Sequence, residues 1–133
     1  MGTQKIKIKG AKILVVDDEP ELTEIVKDFL EGSGYMVQTE NSSDKAISTA
    51  KSYRPDLILL DIMMPVKDGY QICKEIKKDP ALQNVPVIFL TGKEALEDKQ
   101  KSYQVGGDLY IKKPFSCESL LGIVKMVLIA VNK

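Results

Sequence analysis

The stretch KILVVDDEP, residues 12–20, runs four apolar residues straight into Asp17, Asp18 and Glu19. A short run this rich in Val, Ile and Leu reads as a strand covered on both faces. The acids at its end are physically costly. An ionised carboxylate resists burial unless it is paired or binds a metal. Two carboxylates ~5 Å apart repel by roughly 3 kcal/mol at an effective dielectric of ~20. The acids also have a plain structural use, since carboxylates suit a helix N-terminus and Pro20 suits its first turn. The rest of the chain decides between the two readings.

Three further apolar runs match the first: LILL (57–60), VIFL (87–90) and the shorter LYI (109–111). YMVQT (35–39) mixes polar with apolar residues and suits a sheet edge. Helical patterns lie between. Leu22, Ile25, Val26 and Phe29 recur at three and four over 20–31, and Gly32 and Gly34 are stop signals. Residues 43–53 read as a second helix that ends near Arg54, because Pro55 comes next. Residues 69–78 place Ile72, Cys73 and Ile76 on one face and stop at Asp79-Pro80. Residues 94–105 are nearly all polar between Leu96 and Tyr103, a weakly anchored helix stopped by Gly106-Gly107. The last helix starts at Ser116, a good N-cap, and runs to about Val131. The order is β-α five times over. It predicts an α/β fold: a five-stranded parallel sheet in the flavodoxin-like order 2-1-3-4-5, with helices on both faces.

The 133 residues read as an N-terminal tail over 1–10 and one domain over 11–133. The 19 Lys plus Arg balance 19 Asp plus Glu, leaving no basic field for direct nucleic-acid binding. Cys73 and Cys117 lack metal-ligand spacing and read as reduced thiols, which suits a cytoplasmic location. No leader pattern is visible, and the apolar stretch GIVKMVLIAV is too short to cross a bilayer and carries Lys125, so no membrane contact is expected. Histidine is absent, which excludes a Ser-His-Asp or Cys-His nucleophile and a His-ligated zinc. Chemistry must come from carboxylates, lysines, hydroxyls or a metal held by oxygen.

In open α/β sheets, ligands bind beyond the carboxyl ends of the strands, near the switch in strand order. The first strand ends in Asp17-Asp18 and the third in Asp61. The fourth ends in Thr91, and the fifth reaches Lys112-Lys113 before Pro114. In the expected order these ends share one crevice. Three carboxylates without His or Cys call for a hard cation, most simply Mg²⁺. A carboxylate beside such an ion can accept a phosphoryl group. Lys113 and Thr91 would then neutralise and hydrogen-bond the phosphoryl oxygens.

With VVDDEP (15–20), LLDIMMP (59–65), LTGK (90–93) and YIKKPF (110–115) in this order, the chain resembles the response-regulator receiver domain of two-component signalling over residues 11–131. That resemblance implies that Asp61 accepts phosphate from a histidine kinase or phosphotransfer protein. It implies that Asp17 and Asp18 hold Mg²⁺, Asp18 the more directly, with Asp61 and the backbone carbonyl of Met63. Thr91 and Tyr110 look like the hydroxyl and aromatic that report phosphorylation. Lys113, chosen over Lys112 for its place before Pro114, looks like the family's lysine, and a cis bond is expected there. Two departures are Gly92, where alanine is commoner, and Lys93 at the site mouth.

Other classes fit less well. A haloacid-dehalogenase-type phosphohydrolase needs a second acid two residues after its nucleophile, where Met63 stands. An FMN carrier would have its phosphate repelled by DDEP. A pseudo-receiver, an interaction module untouched by phosphorylation, usually lacks an acid or the lysine, and here every position is filled. The 94–105 helix is the expected moving element, controlling a downstream output partner. Leu120, Leu121, Ile123, Val124, Met126, Val127, Leu128, Ile129 and Val131 exceed what one buried face requires, so the last helix is expected to bind a partner or a second copy of the chain.

Overall fold

Each apolar run becomes a strand of one parallel sheet, and its alternate residues face opposite layers. The computed structural model describes residues 10–92 and 106–131. Strands β1 (Lys12–Val16), β2 (Met36–Glu40), β3 (Leu57–Asp61), β4 (Val87–Thr91) and β5 (Leu109–Lys112) stand in the order β2-β1-β3-β4-β5. Helices α1 (Pro20–Gly32), α2 (Ala46–Tyr53), α3 (Gly69–Lys78) and α4 (Cys117–Val131) connect and cover them. The tail and the helix expected over 94–105, with Lys93, lie outside the described residues, apart from Gly10.

Two hydrophobic layers explain why the strand sequences are apolar without interruption. Ile13 and Val15, Leu57 and Leu59, and Ile88 and Leu90 point to one layer, where Val26 and Leu30 of α1 meet Leu120, Val124 and Leu128 of α4. Leu14 and Val16, Ile58 and Leu60, and Val87 and Phe89 point to the other, under Ala46 and Ala50 of α2 and Ile72, Cys73 and Ile76 of α3. Phe89 is fully buried and stacks edge-on against Tyr70 at 5.3 Å. Truncating such a side chain to alanine costs about 3–5 kcal/mol. β2 lies at one edge as its mixed composition requires, whereas β5, read among the covered apolar runs, is only half-buried because it forms the other edge.

Local chemistry sets the boundaries. Pro20 opens α1. Arg54 closes α2 in the left-handed region at φ 55°, leaving Pro55 to begin the next segment. α3 opens with a reciprocal cap in which Asp68 accepts from the Gln71 N–H at 2.9 Å, while the Gln71 side chain accepts from the Asp68 N–H at 3.3 Å. Ser116 accepts from the Ser119 N–H at 3.0 Å, the cap expected for α4.

Two expectations are corrected. Ile25 does not join the inward stripe of α1; it is 58% exposed, and Thr23, Val26 and Leu30 are buried instead. The stripe is rotated toward Thr23, whose hydroxyl can be buried because it donates to the Pro20 carbonyl and accepts from Asn41. The second helix is not α-helical from residue 43: Ser43–Lys45 form a 3₁₀ turn, and α2 proper begins at Ala46. There the Ser43 side chain turns away to hold a neighbouring loop.

Candidate functional site

The strand order places the ends of β1 and β3 side by side, with Val16 paired to Leu60. One residue further on, Asp17 and Asp61 are almost fully buried. Asp18 is partly open to solvent. Carboxylate oxygens of Asp17, Asp18 and Asp61 lie within 4.8 Å of one another. Three hard oxygen donors with no His or Cys among them fit a small divalent cation such as Mg²⁺.

Lys113 answers part of this charge. Its Nζ donates to Asp17 Oδ2 at 2.8 Å, Glu19 Oε1 at 3.2 Å and Asp61 Oδ1 at 3.3 Å. The Lys113 N–H donates to the Thr91 carbonyl at 2.6 Å, and the bond to Pro114 is cis. One ammonium against three carboxylates leaves the cluster negative. Burial, followed by the charge of Asp17, pushes the Asp61 carboxyl up to about 6. Burial also raises Asp17, against the opposing hydrogen bond from Lys113. For Lys113, burial acts to lower the pKa, but the hydrogen bond to Asp17 and the charges of Asp61 and Asp17 outweigh it and hold the ammonium above its usual value. A cation at the acids would relieve the same repulsion.

The remaining expected residues surround this centre. Thr91 is fully buried at the end of β4, the strand beside that of Asp61. Tyr110 lies on β5 in register with Phe89 and packs partly buried against the α2–α3 layer. Met63 lies two residues past Asp61 with its side chain 56% exposed. Gly92 is exposed, and a Cβ there would meet nothing within 4 Å.

Four residues were not foreseen as part of the site. Glu19 belongs to the acidic run, yet its role as a third acceptor for Lys113 depends on where β5 ends. Gly69 opens α3 directly against the loop that follows Asp61: its N–H donates to the Ile62 carbonyl at 2.8 Å. A Cβ there would collide with the Asp61 carbonyl oxygen and stand 2.9 Å from the Ile62 Cα. The Asp68-Gly69 pair was a visible signal for this close approach. Asn41 and Ser43 reach neighbouring loops across the chain, and no local pattern announces such contacts.

The geometry defines a doubly wound α/β protein whose strand ends hold a buried acidic cluster around one lysine. The chain belongs to the response regulator receiver domain family, whose model matches residues 13–125. It is 40% identical over 116 residues to Protein PilG of Pseudomonas aeruginosa, covering 87% of this chain and 86% of that protein. It is 36% identical over 117 residues to the DNA-binding dual master transcriptional regulator RpaA of Synechocystis, but spans only 48% of RpaA's length and 88% of its own. The structure of the chemotaxis response regulator CheY4 of Vibrio cholerae superposes with a TM-score of 0.85 at 32% identity, covering 90% of this chain and 99% of that one. Among the described residues no helix is long and apolar enough to cross a membrane.

Proposed function

We propose that this chain is a phospho-accepting switch in which Asp61 takes a phosphoryl group from a histidine kinase or phosphotransfer protein in the cytoplasm. The observation that carries the reading is the buried Asp61 carboxylate, flanked by Asp17 and Asp18 and bonded to Lys113 at 3.3 Å. An Asp61 oxygen attacks the phosphorus of the donor's phosphoimidazole. The new P–O bond forms an acyl phosphate as the P–N bond breaks, and its electron pair returns to the imidazole nitrogen, which takes a proton from water. Mg²⁺, held by Asp17, Asp18, Asp61 and the Met63 carbonyl, would neutralise the acids and the incoming phosphoryl oxygens. Lys113 then moves part of its interaction from the carboxylates to a phosphoryl oxygen, where its charge is best placed as the negative charge develops.

Thr91 is the hydroxyl that follows the phosphoryl group, and Tyr110 is the aromatic that responds. Thr91 ends β4 and Tyr110 lies on the neighbouring edge strand β5, which leads into α4, so their rearrangement changes the edge surface offered to an output protein or domain. Met126 and Ile129, exposed by 55% and 53% and three residues apart, give α4 a small outward apolar face for such a partner or a second copy of the chain. On the donor side, Leu22, Pro114 and Phe115 line a groove of about 350 Å³ beside Glu19 and Lys113, a surface suited to the phosphoryl donor.

Incubation with acetyl phosphate and Mg²⁺, followed by intact-mass measurement, tests the reading. Wild type should gain one phosphoryl group and Asp61→Asn none. Equal adducts on the two proteins would refute the assignment.

A further inference from the structure

The sheet fixes Asp61 at the end of β3, in register with Leu90, but the loops on either side of the cluster run beyond it. Ladder pairing between β1 and β3 ends at Val16 and Leu60, and the ligand-bearing residues Asp18 and Met63 lie beyond it. Their spacing must come from contacts outside the ladder. The segment joining β2 to α2 supplies them on both sides. Toward the first loop, the end of β2 prolongs the β1–β2 ladder by one bond, from the Asp17 N–H to the Glu40 carbonyl at 3.1 Å, and the joining segment then takes over. The Asn41 side-chain amide donates to the Asp17 carbonyl at 2.8 Å and to the Thr23 hydroxyl at 3.0 Å. The Asp17 peptide is thereby held at both its donor and its acceptor.

Toward the second loop, Ser43, only 5% exposed, donates from Oγ to the Pro65 carbonyl and accepts from the Lys67 N–H at 3.2 Å. These two contacts bracket Val66, a β-branched residue in the left-handed region at φ 73° whose turn is closed by the Lys67 N–H on the Pro65 carbonyl at 2.9 Å. A β-branched residue is costly in that conformation. The turn therefore needs outside support, and one buried hydroxyl provides it.

We propose that the Asn41–Ser43 segment is a positioning bridge that sets the spacing between the Asp17-Asp18 loop and the loop following Asp61, and so the cation affinity of the site. The inference rests on the Mg²⁺ reading and adds residues that touch neither the cation nor the phosphoryl group. Mg²⁺ demands near-octahedral geometry at about 2.0–2.1 Å, so it registers small loop displacements. Outer residues that orient ligands typically change metal affinity by about 10–100-fold when removed.

The test is calorimetric titration of MgCl₂ into the full chain for wild type, Ser43→Ala, Ser43→Thr, Asn41→Leu and Ser116→Ala, with a melting curve for each. Ser43→Ala and Asn41→Leu should each weaken Mg²⁺ binding about 10-fold, and Ser43→Thr, which keeps the hydroxyl, should recover most of the affinity. Ser116→Ala removes the cap of α4, a hydroxyl bonded to Ser119 and to neither loop; it should lower the melting temperature and leave Mg²⁺ affinity unchanged. Wild-type affinity in Ser43→Ala and Asn41→Leu overturns the bridge, as does an equal loss in Ser116→Ala, which would mark general loosening. Absence of Mg²⁺ binding by wild type overturns the cation reading itself, and the bridge with it.

Discussion

Replacing Asp61 by its neutral isostere should stabilise the protein when no divalent cation is present. The folded Asp61 carboxyl titrates at about 6 against an ordinary 3.8, chiefly through burial and then through the charge of Asp17. At about 1.4 kcal/mol per pH unit, that rise corresponds to about 3 kcal/mol. The sign depends on where the proton resides. Below pH ~4 both folded and unfolded chains hold it. Between pH ~4 and ~6 the unfolded chain releases it while the folded chain keeps it, so stability falls as pH rises through that window. Above it the folded state carries the full deficit. The attraction of Lys113 is already included, since it is one of the effects that set the value of about 6. An asparagine at this position fills the same volume without the charge. Urea denaturation in EDTA at low ionic strength should therefore find Asp61→Asn more stable than wild type at pH 8, by up to about 3 kcal/mol. The gap should shrink to below about 1 kcal/mol by pH 4.5. An asparagine variant no more stable than wild type at pH 8, or a gap that persists unchanged at pH 4.5, would refute the reasoning.

Millimolar Mg²⁺ should raise the wild-type melting temperature at pH 8 by mass action on the folded state, and Asp18→Asn should reduce that increment; an unchanged response in Asp18→Asn removes it from the cation site. Gly69→Ala should cost about 1–3 kcal/mol in chemical denaturation and slow phosphorylation, because the added methyl meets the Asp61 carbonyl; wild-type stability would show that the loop yields freely. Val66→Asn should gain up to about 1 kcal/mol, since the γ-turn closed by the Lys67 N–H on the Pro65 carbonyl holds this residue at a positive φ, where an unbranched side chain is less crowded than that of valine. A loss of stability in Val66→Asn would mean that the valine side chain contributes more than its 80% exposure allows.

The architecture was legible because each buried parallel strand announces itself as an unbroken apolar run, and because Pro55, Asp79-Pro80 and Ser116 punctuate the helices between them. The cluster of Asp17, Asp18, Asp61 and Lys113 was legible for a topological reason: once the strand order is known, the strand ends must meet. The features that the sequence concealed depend on rotation and reach. Ile25 satisfies the helical period, but α1 turns its inward stripe toward Thr23, a choice made by Asn41 on another loop. Ser43 looked like the start of a helix, and its hydroxyl is committed instead to Pro65 and Lys67, more than twenty residues away. Glu19 gains its place in the site only from the path of the chain entering Pro114.

The destination of the phosphoryl group is the central claim. An acyl phosphate, unlike a phosphoserine or phosphothreonine, is reduced by borohydride, which converts the aspartate that carried it to homoserine. The protein should be treated with acetyl phosphate and Mg²⁺, reduced, digested and sequenced by mass spectrometry. Homoserine is predicted at position 61 and nowhere else, and it should disappear when EDTA replaces Mg²⁺. Homoserine at Asp17 or Asp18, or phosphate retained on a hydroxyl such as that of Thr91 or Ser43, would contradict that claim.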